Sequence, residues 1–158
     1  MGSTFDSYEV INSSERLLFD SEPQKLRAVV VDDSASYMEV VCALLELDDM
    51  VDVVGRASNG AAAIQAIAQL QPDLLLMDVQ MPLVDGLTAA SFVSKHFAAT
   101  KIVMMSAEDS LQLQAACAAS GARAFIHKPK FREQFVRVLR AVFESPYTFD
   151  VPAGIDFD

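Results

Sequence analysis

Between Lys25 and Glu144 the chain alternates short apolar runs, rich in β-branched residues, with longer stretches whose apolar positions recur at helical spacing. The short runs predict strands at Ala28 to Val31, Val51 to Gly55, Leu74 to Met77, Ile102 to Met105 and Ala124 to Ile126. The longer ones predict helices at Ser36 to Leu47, Gly60 to Leu70, Gly86 to Phe97, Ser110 to Ala119 and Phe131 to Phe143. The last helix has the clearest stripe: Phe135, Val138, Leu139 and Val142 fall at i, i+3, i+4 and i+7, with Arg132, Arg137 and Arg140 off it. Asn59-Gly60, Pro72-Asp73, Asp85-Gly86 and Ser120-Gly121 punctuate the boundaries. Five strand and helix units in strict alternation describe an α/β fold, a parallel sheet covered by helices on both faces. Strands 1 and 3 are more continuously apolar than strand 2, as central strands should be.

Composition sharpens this picture without changing it. A chain of 158 residues with 52% hydrophobic and 22% charged residues has room for one packed domain of ordinary size. The longest wholly apolar run, Val40 to Leu45, is six residues, far below the roughly 18 that a membrane span needs. The first twenty residues carry acids and lack a basic start followed by an apolar stretch, so they do not read as a secretory signal, and a cytoplasmic protein is expected. Cys42 and Cys117 lie in helical segments and are expected to be reduced core thiols.

The charge distribution separates the ends from the middle. Residues 1–22 hold five acids and one base, residues 144–158 hold four acids and no base, and residues 23–143 hold thirteen acids and eleven bases. The expected organisation is an acidic N-terminal extension over 1–25, a domain over 26–144 and an acidic, Pro-containing tail over 145–158. A formal net charge of −10 argues against nucleic-acid binding through this domain, which would need clustered Lys and Arg on phosphates.

The chemistry sits where the strands end. Strand 1 runs into Asp32-Asp33, strand 3 into Asp78, strand 4 into Ser106 and strand 5 into Lys128-Pro129. In open parallel sheets ligands bind outside the carboxyl ends of the strands, so these residues belong to one edge. Neighbouring acids resist ionising together unless a cation is supplied, and oxygen-only ligands with positions left for water and phosphate suit Mg²⁺. A set of solvated loop acids is the plain alternative for any one of them; the whole constellation favours a site.

Val30-Val31-Asp32-Asp33-Ser34, Asp78-Val79-Gln80-Met81-Pro82-Leu83-Val84-Asp85-Gly86, Met105-Ser106-Ala107 and Lys128-Pro129, in this order, resemble the receiver domain of two-component response regulators, the CheY-like family. The resemblance covers residues 26–143 and implies a flavodoxin-like five-stranded parallel sheet in the order 2-1-3-4-5, sandwiched by five helices. It also implies a phosphorylation-activated receiver, itself a signalling domain and no enzyme, in which Asp78 accepts a phosphoryl group from a histidine kinase or histidine phosphotransfer protein. Asp32, Asp33, Asp78 and the Gln80 carbonyl would hold Mg²⁺, Lys128 would add a second positive charge, and Ser106 would sense the phosphate. Phe125 stands at the aromatic switch position and would turn inward on activation. Pro129 fits a cis peptide that aims Lys128 inward, although composition alone favours trans. The face of helix 4, strand 5 and helix 5, with Arg123, Lys130, Arg132, Arg137 and Arg140, is a candidate homodimer surface.

Several readings stay bland. Gly86 is expected to allow a sharp turn into the third helix and Asp85 to cap it. No acid or second histidine is expected to form a metal pair with His96 or His127, which read as surface or core imidazoles. Pro146 and Pro152 stop the last helix, and Tyr147, Phe149 and Val151 alternate in a tail that is either disordered or docked as a clasp; residues 1–22 show no single apolar stripe, although a helix from Phe5 to Phe19 is conceivable. An Asp-nucleophile, Mg-dependent phosphatase would need a second Asp where Gln80 stands, and a flavodoxin would not place Asp32 and Asp33 against a flavin phosphate. A receiver cut from the N-terminal part of a longer regulator with an output domain is the serious alternative to a single-domain protein.

Overall fold

A computed structural model of the chain describes residues 24–47 and 49–144. The expectations for the acidic extension, the Phe5 to Phe19 helix and the tail with Tyr147 and Phe149 fall outside the described residues. The strands are β1 Leu26–Val31, β2 Val51–Ala57, β3 Leu74–Asp78, β4 Lys101–Ser106 and β5 Ala124–His127. Each is followed by one helix: α1 Ala35–Leu47, α2 Gly60–Leu70, α3 Gly86–His96, α4 Leu111–Ala119 and α5 Phe131–Glu144, with a short 3₁₀ turn at Lys128–Lys130 before α5. All pairings are parallel and the strand order is β2-β1-β3-β4-β5.

Burial explains that order. Every residue of β3 is buried and β1 is buried from Ala28 to Val31, whereas β2 is half open, as an edge strand should be. Because successive strand residues face opposite ways, Ala28, Val30, Leu74, Leu76, Val103 and Met105 pack on one face under α1 and α5. Val29, Val31, Leu75, Met77, Ile102 and Met104 pack on the other under α2, α3 and α4. In β1, β3 and β5 the even-numbered residues therefore line the α1/α5 side.

Asn59, Asp85 and Ser110 cap α2, α3 and α4, each side chain accepting the amide of the residue three positions on, at 2.9, 2.8 and 3.1 Å. Asp85 is thus the cap that its sequence position suggested. Gly86 is different: it has no positive φ, so the turn does not require it. An added Cβ would lie 2.3 Å from the Asp78 carbonyl oxygen, so Gly86 is there to let α3 start directly against the end of β3. Among the described residues no peptide bond is cis, which corrects the expectation for Lys128-Pro129. Pro129 instead sits inside the 3₁₀ turn, where its fixed φ is compatible and its missing N–H costs little. Among the described residues no helix is long and apolar enough to cross a membrane.

Candidate functional site

Strand parity and register assemble the site. Val31 pairs with Met77, so the next residues, Asp32 and Asp78, leave adjacent strands side by side. Asp32 continues the face of Ala28 and Val30, Asp78 that of Leu74 and Leu76, and Lys128 that of Ala124 and Ile126. All three therefore emerge over the same corner of the sheet, beside α1. Asp32 is 1% and Asp78 5% exposed, and Asp33 is exposed. One carboxylate oxygen from each of Asp32, Asp33 and Asp78 lies within 4.8 Å of the others.

Lys128 is the counter-ion of the two buried acids. Its Nζ is 2.7 Å from Asp32 Oδ2 and 3.3 Å from Asp78 Oδ2. The contact with Asp32 is an ion pair made off the hydrogen-bonding direction, since Asp32 Oδ2 has no hydrogen-bond partner despite the short distance. Asp32 Oδ1 accepts the Ser34 amide at 2.9 Å, and Asp78 Oδ1 the Gln80 amide at 3.3 Å. Burial pushes the Asp78 carboxyl above its ordinary value; Lys128 and the Gln80 amide pull it back, and Asp32 adds to the push. Three carboxylates facing one ammonium leave the corner short of positive charge. The hard oxygen donors and the unengaged lone pairs of the buried Asp32 Oδ2 fit a small divalent cation.

Ser106 ends β4 on the other parity, buried at 1%, and its Oγ accepts the Glu108 amide at 3.0 Å. Gln80 and Glu108 are exposed. Phe125 is 6% exposed and belongs to the cluster under α2, α3 and α4, so the inward position expected only on activation is already occupied. His127 Nε2 lies 2.9 Å from the Ala107 carbonyl oxygen, and Nδ1 lies 3.8 Å from Asp109 Oδ2. Cys42 and Cys117 are free and buried, and burial pushes the Cys117 thiol up to about 12, as expected of inert core thiols.

One neighbour of the acids was missed from the sequence. Tyr37, in the first turn of α1, puts its ring 4.5 Å from Lys128 Nζ and donates its hydroxyl to the Lys128 carbonyl at 3.2 Å. The available signal was its place four residues after Asp33, which a helix starting at Ala35 keeps close to the acids. A groove of about 650 Å³ between α3 and α4, bordered by Phe92, Lys95 and His96, contains none of these residues.

The fold and the acidic corner at its strand ends are those of an α/β signalling domain by comparison with known proteins. The family model for the response regulator receiver domain matches residues 28–140, and the chain belongs to that family. It is 35% identical over 118 residues to the probable transcriptional regulatory protein NarL of Mycobacterium tuberculosis, covering 75% of this chain and 55% of that protein. It is 41% identical over 112 residues to a protein-glutamate methylesterase/protein-glutamine glutaminase of Pseudoalteromonas atlantica, covering 68% of this chain and 28% of that protein. The solved receiver domain of the M. tuberculosis NarL superposes with a TM-score of 0.70 at 35% identity, over 74% of this chain and 94% of that one. The chain thus spans about half the length of the NarL protein it matches, and the shared part is the receiver.

Proposed function

We propose that this receiver takes a phosphoryl group onto Asp78 from a phosphohistidine of a histidine kinase or histidine phosphotransfer protein, with Mg²⁺, and passes the change to a partner surface. The observation that carries this is the convergence of Asp32, Asp33, Asp78 and Lys128 from three strand ends onto one corner. In the step, an Asp78 carboxylate oxygen attacks phosphorus, an O–P bond forms, and the P–N bond to the donor imidazole breaks with its electron pair, to be protonated there. Asp32, Asp33, Asp78 and the Gln80 carbonyl are the residues that would hold the cation. When bound, Mg²⁺ supplies positive charge to the oxygens over which the transferring group spreads its negative charge. Lys128 supplies the chain's own positive charge beside Asp78. The Ser106 hydroxyl, now committed to the Glu108 amide as acceptor, has its proton free to donate to a phosphoryl oxygen. Such a donation would draw in the loop that carries Ala107 and Glu108. Because Phe125 is already buried, this reading places the switch in the loop and not in a swing of the ring.

Leu83 and Leu111, 84% and 82% exposed, lie in the connection after β3 and at the start of α4, both beyond the carboxyl ends of strands and suited to touch an approaching donor protein. The length of the relatives favours this chain being the receiver part of a longer regulator, whose output domain would carry any enzymatic or DNA-binding activity. The test of the acceptor is direct. Incubation with acetyl phosphate and Mg²⁺ should add one phosphoryl mass, and neither the Asp78→Asn variant nor a chelator-treated sample should gain it; an Asp78→Asn chain that still forms a hydroxylamine-labile phosphoryl adduct would refute the assignment.

A further inference from the structure

The structure assigns Tyr37 a role that rests on the acceptor reading above: it is the positioning residue of Lys128, fastening both the backbone and the ammonium of that lysine. Two contacts with different physics carry this. The Tyr37 hydroxyl donates to the Lys128 carbonyl across 91 positions of chain, at 3.2 Å. The same carbonyl also accepts the Phe131 amide inside the 3₁₀ turn, so both of its lone pairs are used and the peptide leading to Pro129 is tied to α1 as well as to α5. At the other end of the side chain, Nζ stands 4.5 Å from the centre of the Tyr37 ring, within cation–π range.

Tyr37 is itself held from below. Ser34 caps α1, its Oγ accepting the Tyr37 amide at 3.2 Å while its own amide is bound by Asp32 Oδ1 at 2.9 Å. The ring packs against the cluster under α1 and α5. Asp32, Ser34, Tyr37 and Lys128 thus form a closed circuit: acid to cap, cap to aromatic, aromatic to lysine, lysine back to acid.

The need for such a fastening follows from what Lys128 has to do. Its ammonium now sits closest to Asp32, at 2.7 Å, and farther from Asp78, at 3.3 Å. To meet the charge arriving on Asp78 it must shift its weight from one acid to the other, and a four-carbon stem with free rotation would otherwise be lost to solvent. A hydrogen bond would resist that shift because it is directional. The face of a ring attracts a cation over a broad area, so it lets Nζ move between the acids while excluding water on one side. The off-axis contact between Lys128 and Asp32 leaves the ammonium without a fixed direction there, in keeping with this.

The experiment compares the full chain with its Tyr37→Phe, Tyr37→Leu, Lys128→Met and doubly substituted Tyr37→Leu/Lys128→Met variants by two readouts. In the resting protein without Mg²⁺, proton NMR should show the Lys128 ε-methylene signal, identified by its loss in Lys128→Met, moved upfield by the ring, kept so in Tyr37→Phe and returned to an ordinary position in Tyr37→Leu. With acetyl phosphate and Mg²⁺, uptake should slow about threefold in Tyr37→Phe and about tenfold in Tyr37→Leu. The Mg²⁺ dissociation constant of both should stay within about twofold of the parent, and Tyr37→Leu should add nothing once Lys128 is Met. An unshifted methylene in the parent, or a Tyr37→Leu effect of equal size in the Lys128→Met background, would overturn the positioning role. A parent that shows the shifted methylene yet takes up no phosphate would refute the acceptor reading and leave the tyrosine–lysine fastening standing.

Discussion

Leu83 shows how a single residue departs from what its type suggests. It adopts φ 67°, in the left-handed region that disfavours a side chain with a Cβ, and it is 84% exposed, so no burial compensates. A non-glycine residue there loses roughly 1–2 kcal/mol, and glycine would return part of it to the larger freedom of its unfolded chain. Leu83→Gly is therefore expected to stabilise the protein by about 0.5–1 kcal/mol, a rise of a few degrees in melting temperature by calorimetry. A fall in melting temperature would mean that the leucine makes a contact this conformation does not display. Residue types at the corner were legible because carboxylates, a hydroxyl and an ammonium at strand ends are informative in themselves. Leu83 and Tyr37 were not, since a leucine says nothing about φ and an aromatic in a helix reads as core. The approach of Asp109 to His127 was hidden for a similar reason: it lies 18 positions away in sequence, and only the side-by-side ends of β4 and β5 bring it near.

At the scale of elements, all ten strands and helices were legible, and the differences lie at their ends. β1 begins at Leu26 and β4 at Lys101, and β2 continues through Arg56, because a parallel strand keeps its ladder after its apolar run has stopped. In the register, Arg27 opposes Asp52 and Val30 opposes Arg56, so the ladder takes in two arginines that an apolar-run criterion excludes. The same limit hid the purpose of Gly86, because a glycine after Asp85 suggests a turn, whereas the constraint is the approach of α3 to β3. A Cβ at Gly86 would meet backbone at the Asp78 carbonyl oxygen, 2.3 Å, and the Val79 Cα, 2.8 Å, neither of which can swing aside as a side chain would. Gly86→Ala should thus cost about 2–3 kcal/mol, the upper range of overpacking. It should also slow phosphoryl uptake by displacing the end of β3, whereas a change with Ala at an ordinary helix start would improve stability slightly. Denaturant unfolding and uptake measured on the same variant would separate the two, and unchanged uptake with lost stability would show that Asp78 is held independently of α3.

At the scale of the molecule, the site is a charge imbalance built into the fold. Asp32 and Asp78 are carried inward by strands whose apolar faces must be buried, so their burial is enforced by the core and not by the site's own contacts. The folded Asp78 carboxyl is raised above its unfolded value, first by that burial. An acid raised on folding makes the native state bind more protons than the unfolded one, so its effect is to lower stability as pH rises from the unfolded pKa through the folded one. Above that window the metal-free protein bears the whole penalty; below it, none. Asp78→Asn removes the ionisation, and the metal-free variant should therefore melt higher than the parent at neutral pH, with the gap closing as pH falls through the window. On the proposed reading Mg²⁺ would act on the same account with the opposite sign, since it would bind the ionised cluster of the native state and compete with protons for it. At a hundredfold excess over its dissociation constant it should add about 2.7 kcal/mol, roughly 8–13 °C for a domain of this size. That gain should shrink as pH falls through the same window and should be much reduced in Asp78→Asn. Thermal unfolding of parent and variant, with and without Mg²⁺ across that range, reads both effects at once; a Mg²⁺ shift independent of pH and equal in the two chains would place the cation elsewhere than on Asp32, Asp33 and Asp78.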